Sequence, residues 1–505
     1  MEIDNVRAAP RVDEMSLRDV NLSMAGLTMA LFVAALSNLI VLTALPRIVA
    51  DLHGNQPAYT WIISASMLTM TVCMPIWGRM SDVVDKKRLI QASVFGYVLA
   101  SACAGLAAST EVIIGCRIAI GGCASGIIIL MQAIAAQITT PRHRAKWIGY
   151  QGAAMSVATV GAPTLGGIIA EHLGWRWCFF LAIPVAIVSI GMLQRTLHLP
   201  ARNATRPRID WLGALLVAGS VVTLLLWVSL FGPRNGWSSA SALFSLIGGC
   251  ILLVACIAVE RRVTAPILPL DLLRTRDVLL GIIGSYATGF AFFSSAVFLA
   301  LFLQVGRGFS PQVAGLMAGP EALATLLASL ISSRFIAHHG RYRRWLIGGA
   351  AMVVLGFVLL STIGTQTPLV FIGLCVALIG GGLGMVAENL TLVVQTSVAA
   401  GRVGSAGALV AFFRMIGGVS AVAGLGTLLS YRVVTYTHAH GLALDAGSSL
   451  PKLSVLPPAS RLILEAAYAS GAAWLYLACV PVAAALLACV FLLSNRTLDA
   501  EKSAS

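Results

Sequence analysis

Four charged side chains interrupt the long apolar runs of this sequence, where charge is rare. Two are acids and two are arginines: Glu321, Glu388, Arg117 and Arg414. An ionisable group in an apolar surrounding is costly, and it is most often retained for a function. Because a low-dielectric surrounding favours the neutral form of a carboxyl group, Glu388 and Glu321 are candidates for exchanging protons. Arg117 and Arg414 are candidates for organising charge within a shared aqueous cavity.

The same residues also permit purely structural interpretations. Glu388 could form a fixed ion pair with Arg414, because both lie about two turns from the same end of their runs. Arg117 lies only about a turn and a half inside its run, so its long side chain could extend to the surface. The sequence leaves these alternatives open.

The composition indicates that these residues belong to a membrane protein. Hydrophobic residues make up 58% of the 505 residues and charged residues only 11%, whereas about a quarter of the residues in a soluble domain are charged. A net charge of +14 would suggest nucleic acid as the partner of a soluble domain. In a membrane protein the excess of basic residues instead reflects which loops lie on the cytoplasmic side, so we expect no nucleic-acid partner.

Fourteen apolar runs, each long enough to cross a bilayer as a helix, can be placed along the chain. Their limits are near 21–44, 59–78, 89–108, 112–138, 147–170, 177–194, 211–231, 241–259, 278–304, 313–333, 345–363, 368–397, 406–430 and 470–494. We therefore predict an all-α polytopic membrane protein with 14 transmembrane helices. An even number of spans places both termini on one side of the membrane.

The positions of the basic residues predict which side that is. If the N-terminus is cytoplasmic, 25 of the 34 lysines and arginines lie on the inner side, 7 lie on the outer side and 2 lie within runs. This asymmetry is what the positive-inside rule requires. We expect a multi-pass protein of the inner (cytoplasmic) membrane with both termini in the cytoplasm.

No pattern typical of catalysis is present. The sequence lacks the dinucleotide, Walker, zinc-protease and nucleophile-elbow motifs, and His338 and His339 lie in a basic loop where solvation is expected. The ten cysteines lie in or beside apolar runs without CxxC spacing, which indicates hydrophobic packing. We therefore expect no enzyme activity, no cofactor and no metal site, and any transport would use an ion gradient instead of ATP.

A charged stretch, GRMSDVVDKKR from Gly78 to Arg88, separates two uncharged runs and is predicted to be a cytoplasmic loop. It resembles the signature loop of the major facilitator superfamily, G-x-L-a-D-r-x-G-r-k, although Val83 and Asp85 depart from that pattern. The positions that fit are Gly78, Met80, Ser81, Asp82, Lys86 and Lys87. The resemblance implies that Asp82, with the basic residues Lys86 to Arg88, latches the cytoplasmic ends of two helical halves. A carboxylate can also cap the N-terminus of a neighbouring helix.

Other motifs resemble the fourteen-helix drug–proton antiporter branch of that superfamily. The fifth run resembles its antiporter-type element, G-x-x-x-G-P-x-x-G-G: Pro163, Gly166 and Gly167 match, Ala162 replaces the second Gly, and Gly161 adds a small residue beside it. Small residues permit close helix approach and proline bends a helix, so this element would form a smooth, kinked face on which the other half rocks. Close packing without a gating role is the alternative.

The first and fourth runs carry two more of these resemblances. The first run ends in LSNLIVLTALP, and Ser37 stands where the branch has an acid. Any role of that acid therefore cannot be filled at this position. Arg117 and Gly121 resemble the R-x-x-q-G element of the branch's fourth span.

The resemblance implies a major facilitator fold of two six-helix halves plus two extra central spans. A short echo of residues 78–88 in residues 333–343 supports a duplicated arrangement. The predicted segments are a cytoplasmic tail (1–20), an N-terminal half (21–194), a linker with the extra spans (195–277), a C-terminal half (278–494) and a second tail (495–505). Residues 431–469 are predicted to be an extracytoplasmic loop with an amphipathic stretch on the membrane surface.

The function implied by the resemblance is proton-driven efflux of hydrophobic, often cationic, drug-like compounds by alternating access. Two acids in an apolar cavity suit such cargo, because a cation and a proton compete for one carboxylate. The alternatives are a dedicated exporter of one metabolite or lipid, and a receptor or scaffold that has lost transport. The expected partners are a small-molecule substrate, protons and membrane lipid, and the protein is expected to be a monomer.

Overall fold

The computed structural model of the protein describes residues 16–53, 56–199, 210–227, 239–263, 266, 269–309, 311–441 and 457–495. Predictions for residues 1–15, 442–456 and 496–505 lie outside these ranges. Within them the chain is helical and contains no strand, as predicted. The helices are α1 (Leu17–Asp51), α2 (Gln56–Val83), α3 (Lys86–Gly105), α4 (Thr110–Ile138), α5 (Pro141–His172), α6 (Trp177–Phe180), α7 (Ala182–Thr196), α8 (Trp211–Leu226), α9 (Ala240–Glu260), α10 (Arg276–Leu301), α11 (Pro311–Leu316), α12 (Gly319–His339), α13 (Arg343–Leu360), α14 (Leu369–Thr396), α15 (Val403–Ala439) and α16 (Pro458–Leu492).

The helices coincide with the apolar runs, and side-chain caps begin several of them. Ser109, Thr140 and Asp210 each accept a backbone hydrogen bond from the first turn of α4, α5 and α8, respectively, which satisfies donors that a helix start leaves free. Eleven helices of the described chain are long and apolar enough to cross a membrane. Each of the fourteen predicted runs overlaps a helix, and the count of fourteen spans stays a prediction.

Two groups of helices each surround their own apolar core. In the first group, α1 to α7, the core includes Leu27, Leu130 and Phe179. In the second group, α10 to α16, it includes Phe357 and Tyr476. We call these groups the N-half and the C-half. Their exact limits, 21–194 and 278–494, stay a prediction.

The helices α8 and α9, which fall in the predicted central insertion, pack against each other, and α8 also lies against α2. Val217 of α8 belongs to an apolar cluster with Val72 of α2 and with Ala411 and Phe412 of α15. The pair therefore lies on the outside of the bundle at the junction of α2 with α15.

Two segments predicted to be loops are largely helical. The stretch from Gly78 to Val83 completes α2, and Asp85 caps α3 by accepting a hydrogen bond from the Lys87 N–H, so only residues 84–85 lie between the helices. Of the predicted loop 431–469, residues 431–439 continue α15 and residues 458–469 begin α16. Within 458–469, Leu464 and Ala467 are buried in the core of the C-half. The amphipathic stretch is therefore the first part of the last helix and is not a separate segment on the membrane surface.

The two halves meet closely at one end of the bundle, which we call the basic end. It is the end at which α2, α4, α12 and α14 finish and α3, α5, α13 and α15 begin. There α2 packs against α15, and α5 packs against α12 and α14. A Cβ placed on Gly78 would lie 2.3 Å from the Ala408 Cβ, so the backbones of α2 and α15 approach more closely than side chains at these positions would allow.

Candidate functional site

Asp82 joins the two halves at the basic end. The side chain is buried in the last turn of α2. Its Oδ1 accepts a hydrogen bond from the Gly404 N–H at 3.1 Å, and its Oδ2 accepts from the Ser405 N–H at 3.0 Å and the Ser405 hydroxyl at 2.5 Å. Gly404 and Ser405 lie in the first turn of α15, whose own N-cap residue, Arg402, makes no side-chain cap bond. A carboxylate of the N-half therefore occupies the positive end of a C-half helix.

The three basic residues predicted to act with Asp82 have contacts within the N-half. Lys86 donates to the Gln137 side-chain oxygen at 2.9 Å, and Lys87 donates to the Gln194 carbonyl at 3.0 Å. Arg88 forms an exposed ion pair with Asp85 at 3.7 Å. Asp82 therefore makes hydrogen bonds to the C-half, whereas these contacts of Lys86, Lys87 and Arg88 stay within the N-half.

A second close approach joins α5 and α12. A Cβ on Gly149 would lie 1.9 Å from the Ser333 hydroxyl, and a Cβ on Gly152 would lie 2.2 Å from the Ser329 hydroxyl. Both distances are far below van der Waals contact, so these positions require glycine while the helices are packed as observed. Small residues at the interface allow the two halves to meet.

The antiporter-type element lies further along α5 and has different surroundings. A Cβ on Gly161 would meet only Leu165 of the same helix, at 4.0 Å, and one on Gly167 would meet nothing within 4 Å. Gly166 is buried, whereas the side chain of Pro163 lies outside the described set. The close glycine contacts of α5 with the other half are therefore at Gly149 and Gly152 and not at Gly161 or Gly167, and the rocking role of the antiporter-type element stays a prediction.

Glu388 and Arg414 form an ion pair between α14 and α15. The Arg414 Nη1 donates to the Glu388 Oε1 at 2.5 Å, and its Nη2 donates to the Thr391 hydroxyl at 3.1 Å. The side chains keep 25% and 23% of their surface exposed. Glu388 lines a small pocket with Gln132 and Gln151 of the N-half. It therefore faces the interface between the two halves, which we call the seam, and not lipid.

Glu321 lies at a different place from Glu388. It is only 5% exposed, and its Oε1 accepts a hydrogen bond from the Ser295 hydroxyl of α10 at 2.7 Å. Within the described residues, no lysine or arginine forms an ion pair with it. Gly380 of α14 packs against the Glu321 backbone, and Glu388 follows eight residues later, about 12 Å further along α14. The two acids therefore do not share one site.

Arg117 is buried inside the N-half and does not extend to the surface. It is 3% exposed; its Nε donates to the Ile62 carbonyl at 3.1 Å and its Nη1 donates to the Asn38 side-chain oxygen at 3.1 Å. Ser66 donates to the same Asn38 oxygen at 3.3 Å. Arg117 and Arg414 are thus in different halves. The sequence prediction missed Asn38, the residue after Ser37, although an amide within the first apolar run was a visible signal.

Sequence reasoning also missed a polar contact between the halves at the basic end. Arg144 of α5 donates from Nη1 to the Gln395 Oε1 of α14 at 3.2 Å. Gln132 of α4 and Gln395 both line the pocket that Glu388 lines. Both glutamines stand within predicted membrane runs, and that placement was the signal that could have identified them. Among the described residues, no group of His, Cys, Asp or Glu side chains is arranged to hold a metal ion.

Comparison with known proteins places this geometry in a family. The model of the Major Facilitator Superfamily matches residues 27–422. The multidrug transporter protein MdtP of Bacillus subtilis is 31% identical over 414 residues, which cover 81% of this chain and 75% of MdtP. The efflux pump dotC of Dothistroma septosporum is 27% identical over 498 residues, which cover 95% of this chain and 84% of dotC.

Solved structures share the fold at low sequence identity. The human organic anion transporter MFSD10 (TETRAN) superposes with a TM-score of 0.62 at 16% identity, covering 92% of this chain and 99% of that one. A bacterial homologue of the human lysosomal transporter Spinster gives 0.52 at 15% identity, covering 95% of this chain and 97% of that one. The match to most of the chain, its helical fold and its similarity to transporters confirm the family predicted from Gly78 to Arg88: this protein is a membrane transporter of the major facilitator superfamily.

Proposed function

We propose that the protein is a proton-driven efflux transporter, which exports hydrophobic, often cationic, drug-like compounds across the cytoplasmic membrane by alternating access. The observation that carries this proposal is Glu321, a carboxyl group buried in the C-half with a serine hydroxyl as its hydrogen-bond partner. An ionised carboxylate buried without a cation is very costly. Glu321 therefore carries a proton in this state and releases it when the site becomes hydrated in another.

The closed basic end supports alternating access. Asp82 at the N-terminus of α15 and the glycine contacts of α5 with α12 hold the halves together there. We place the basic end in the cytoplasm by the positive-inside rule, with both chain termini on that side. The observed state is then closed to the cytoplasm, and opening it requires these contacts to separate.

The Glu388–Arg414 pair has a role at the seam. Because both side chains are partly exposed, the pair can separate and re-form as the seam opens and closes. Protonation of Glu388 would release Arg414, which links the charge of the pair to the conformation of the halves. We assign Glu388 as the second proton-coupling group, with Arg414 as its charge partner and with Arg117 organising the polar residues of the N-half.

The proposed cargo is inferred from the names of similar proteins and from the side chains around Glu321. MdtP is named as a multidrug transporter and dotC as an efflux pump, which favours export of small organic compounds. The apolar helices around Glu321 suit a hydrophobic compound, and its carboxyl group suits a cation when the proton has left.

A transport assay tests the proposal. Purified protein in proteoliposomes would be given a panel of fluorescent cationic, neutral and anionic compounds under an imposed pH gradient, with and without a proton uncoupler. We expect transport of several hydrophobic cations, which the uncoupler abolishes, together with proton movement in the opposite direction. Transport that persists after the gradient has collapsed, or transport of one compound only, would contradict the proposal. Empty liposomes provide the background.

A further inference from the structure

We propose that the seam between the two halves contains a binding site for a single water molecule, held between the amides of Gln132 and Gln395, and that this water-bridged contact seals the basic end beneath Glu388. The site is distinct from the contact of Asp82 with α15. Its role as a seal rests on the proposed function in one respect, namely that Glu388 exchanges protons.

The first observation is a pair of complementary polar atoms. The side-chain oxygen of Gln132, in the N-half, and the side-chain nitrogen of Gln395, in the C-half, are both buried without a hydrogen-bond partner in the described structure. Gln132 is 9% exposed and Gln395 is 4% exposed. A buried polar group that lacks a partner is costly, and water is the common partner of such groups. One atom accepts and the other donates, so a water molecule that accepts from Gln395 and donates to Gln132 satisfies both.

The orientation of the Gln395 amide is fixed by its other contact. Its Oε1 accepts the hydrogen bond from Arg144 at 3.2 Å, and arginine has only donors. The nitrogen of Gln395 must therefore point away from Arg144. Rotating the amide would place its NH₂ group against a guanidinium and would lose this bond.

Gly407 of α15 packs against both amide groups. A Cβ on Gly407 would lie 2.8 Å from the Gln395 nitrogen and 3.0 Å from the Gln132 oxygen. The two side-chain atoms are therefore separated by no more than the sum of these distances, 5.8 Å, which one water molecule can bridge with two hydrogen bonds of about 2.9 Å. The cavity that the two glutamines line has a volume of about 10 Å³, which is close to the space that one water molecule needs.

The position of the site explains how it seals the seam. Gln395 follows Glu388 by seven residues, about two turns of α14 closer to the basic end. Arg144 and Gln132 approach it from α5 and α4 of the other half. Water or protons that pass from the basic end to Glu388 along this seam must break the contacts of Gln395 with Arg144 and with the bridging water.

Proton leak through reconstituted protein tests the seal. Gln132→Leu removes the acceptor but leaves the Arg144–Gln395 bond. Gly407→Ala places a methyl group against both amides, 2.8 Å from the Gln395 nitrogen and 3.0 Å from the Gln132 oxygen, and so displaces the bridging water. For each variant we expect substrate-independent proton leak about three- to tenfold faster than wild type, the effect of losing one net hydrogen bond. Gln132→Leu and Gly407→Ala act on the same water, so the double variant should leak no faster than either single variant. Gln91→Leu, at a half-buried glutamine that bonds to Gln194 away from the seam, should leak like wild type.

Three results would overturn the proposal: a wild-type leak rate in both single variants, additive effects in the double variant, or a dry site. The last is tested by brief X-ray radiolysis of water in the full-length protein, followed by mass spectrometry. Ile148 lines the pocket and is buried, so rapid oxidation of its side chain that is slowed in Gly407→Ala would report the bridging water, and an equal rate in both proteins would indicate a dry site. Thermal unfolding of each variant checks that it is folded. Failure of the proposed function would instead show as wild-type protein without gradient-driven export, whatever these variants do.

Discussion

The carboxylate of Asp82 accepts hydrogen bonds from both the backbone N–H and the hydroxyl of Ser405, although 323 residues separate the two positions. Asp82 ends α2 in one half, and Ser405 lies in the first turn of α15 in the other. A carboxylate at a helix N-terminus satisfies free backbone donors and interacts favourably with the helix dipole. The contact between the halves at the basic end therefore includes a carboxylate whose charge the start of α15 favours.

Asp82→Asn should shift the protein away from the closed basic end. The amide keeps the shape of the side chain, but it loses the charge and can accept at one oxygen only. A loss of about 1–2 kcal/mol corresponds to roughly a five- to thirtyfold lower population of the closed state. Export turnover should fall while substrate affinity changes little, as measured by initial rates and by binding to detergent-solubilised protein. Asp85→Asn is the matched control, because Asp85 caps α3 within its own half and asparagine is also a good N-cap. Normal turnover in Asp82→Asn would remove this residue from the latch.

Glu321→Gln should abolish the dependence of export on the proton gradient. Glutamine resembles the protonated carboxyl and retains a hydrogen bond to Ser295, so the protein should fold and still bind neutral compounds. Because the group can no longer release a proton, export should become insensitive to external pH, whereas wild-type export should rise as the outer pH falls. Rates of transport at several imposed pH differences would measure this. Glu111→Gln, at an exposed acid in the first turn of α4, is the control, and unchanged pH dependence in Glu321→Gln would move the coupling to another acid.

Glu388→Gln and Arg414→Gln, alone and combined, separate proton coupling from structural pairing. Each single variant leaves one partner without its counter-ion, so each should reduce gradient-driven export at least about tenfold. If the pair serves only to neutralise buried charge, the double variant should recover export, because neither charge remains. We expect the double variant to fold as stably as wild type and to remain defective in pH-dependent export. Its recovery would establish the fixed ion pair as the correct interpretation.

Gly149→Ala should obstruct closure of the basic end by steric contact. The added methyl group would lie 1.9 Å from the Ser333 hydroxyl, and overpacking of this kind costs about 1–3 kcal/mol. Hydrogen exchange of the peptides at the start of α5 and the end of α12 should become faster, and export should slow.

A second substitution tests this steric explanation. Ser333→Gly removes the opposing side chain, so the double variant Gly149→Ala/Ser333→Gly should recover export and protection from exchange. Gly161→Ala, on the same helix, has its nearest contact at 4.0 Å and should behave like wild type. If Gly161→Ala is as defective as Gly149→Ala, the effect comes from α5 itself and not from its contact with α12.

The sequence by itself determined the class of the protein, the family and the approximate place of each helix. These properties are encoded locally: a run of about 20 apolar residues favours a membrane helix wherever it packs, and the motif at Gly78 to Arg88 is contiguous. The sequence also indicated that Asp82 could cap another helix, but it could not specify which one. It wrongly predicted a loop at residues 78–83, because charged residues there were taken to mark the end of the membrane helix. The helix α2 in fact continues to Val83.

Only the tertiary structure decided which side chains meet. The contact of Glu388 with Arg414, of Arg117 with Asn38, and of Gln395 with Arg144 depends on how each helix is rotated about its axis and how closely its neighbour approaches. Hydropathy carries little of that information, because a bilayer solvates every apolar face alike. The choice between Gly149 and Gly161 as the contact point on α5 depends in addition on which end of the bundle is closed, and that is a property of the conformation.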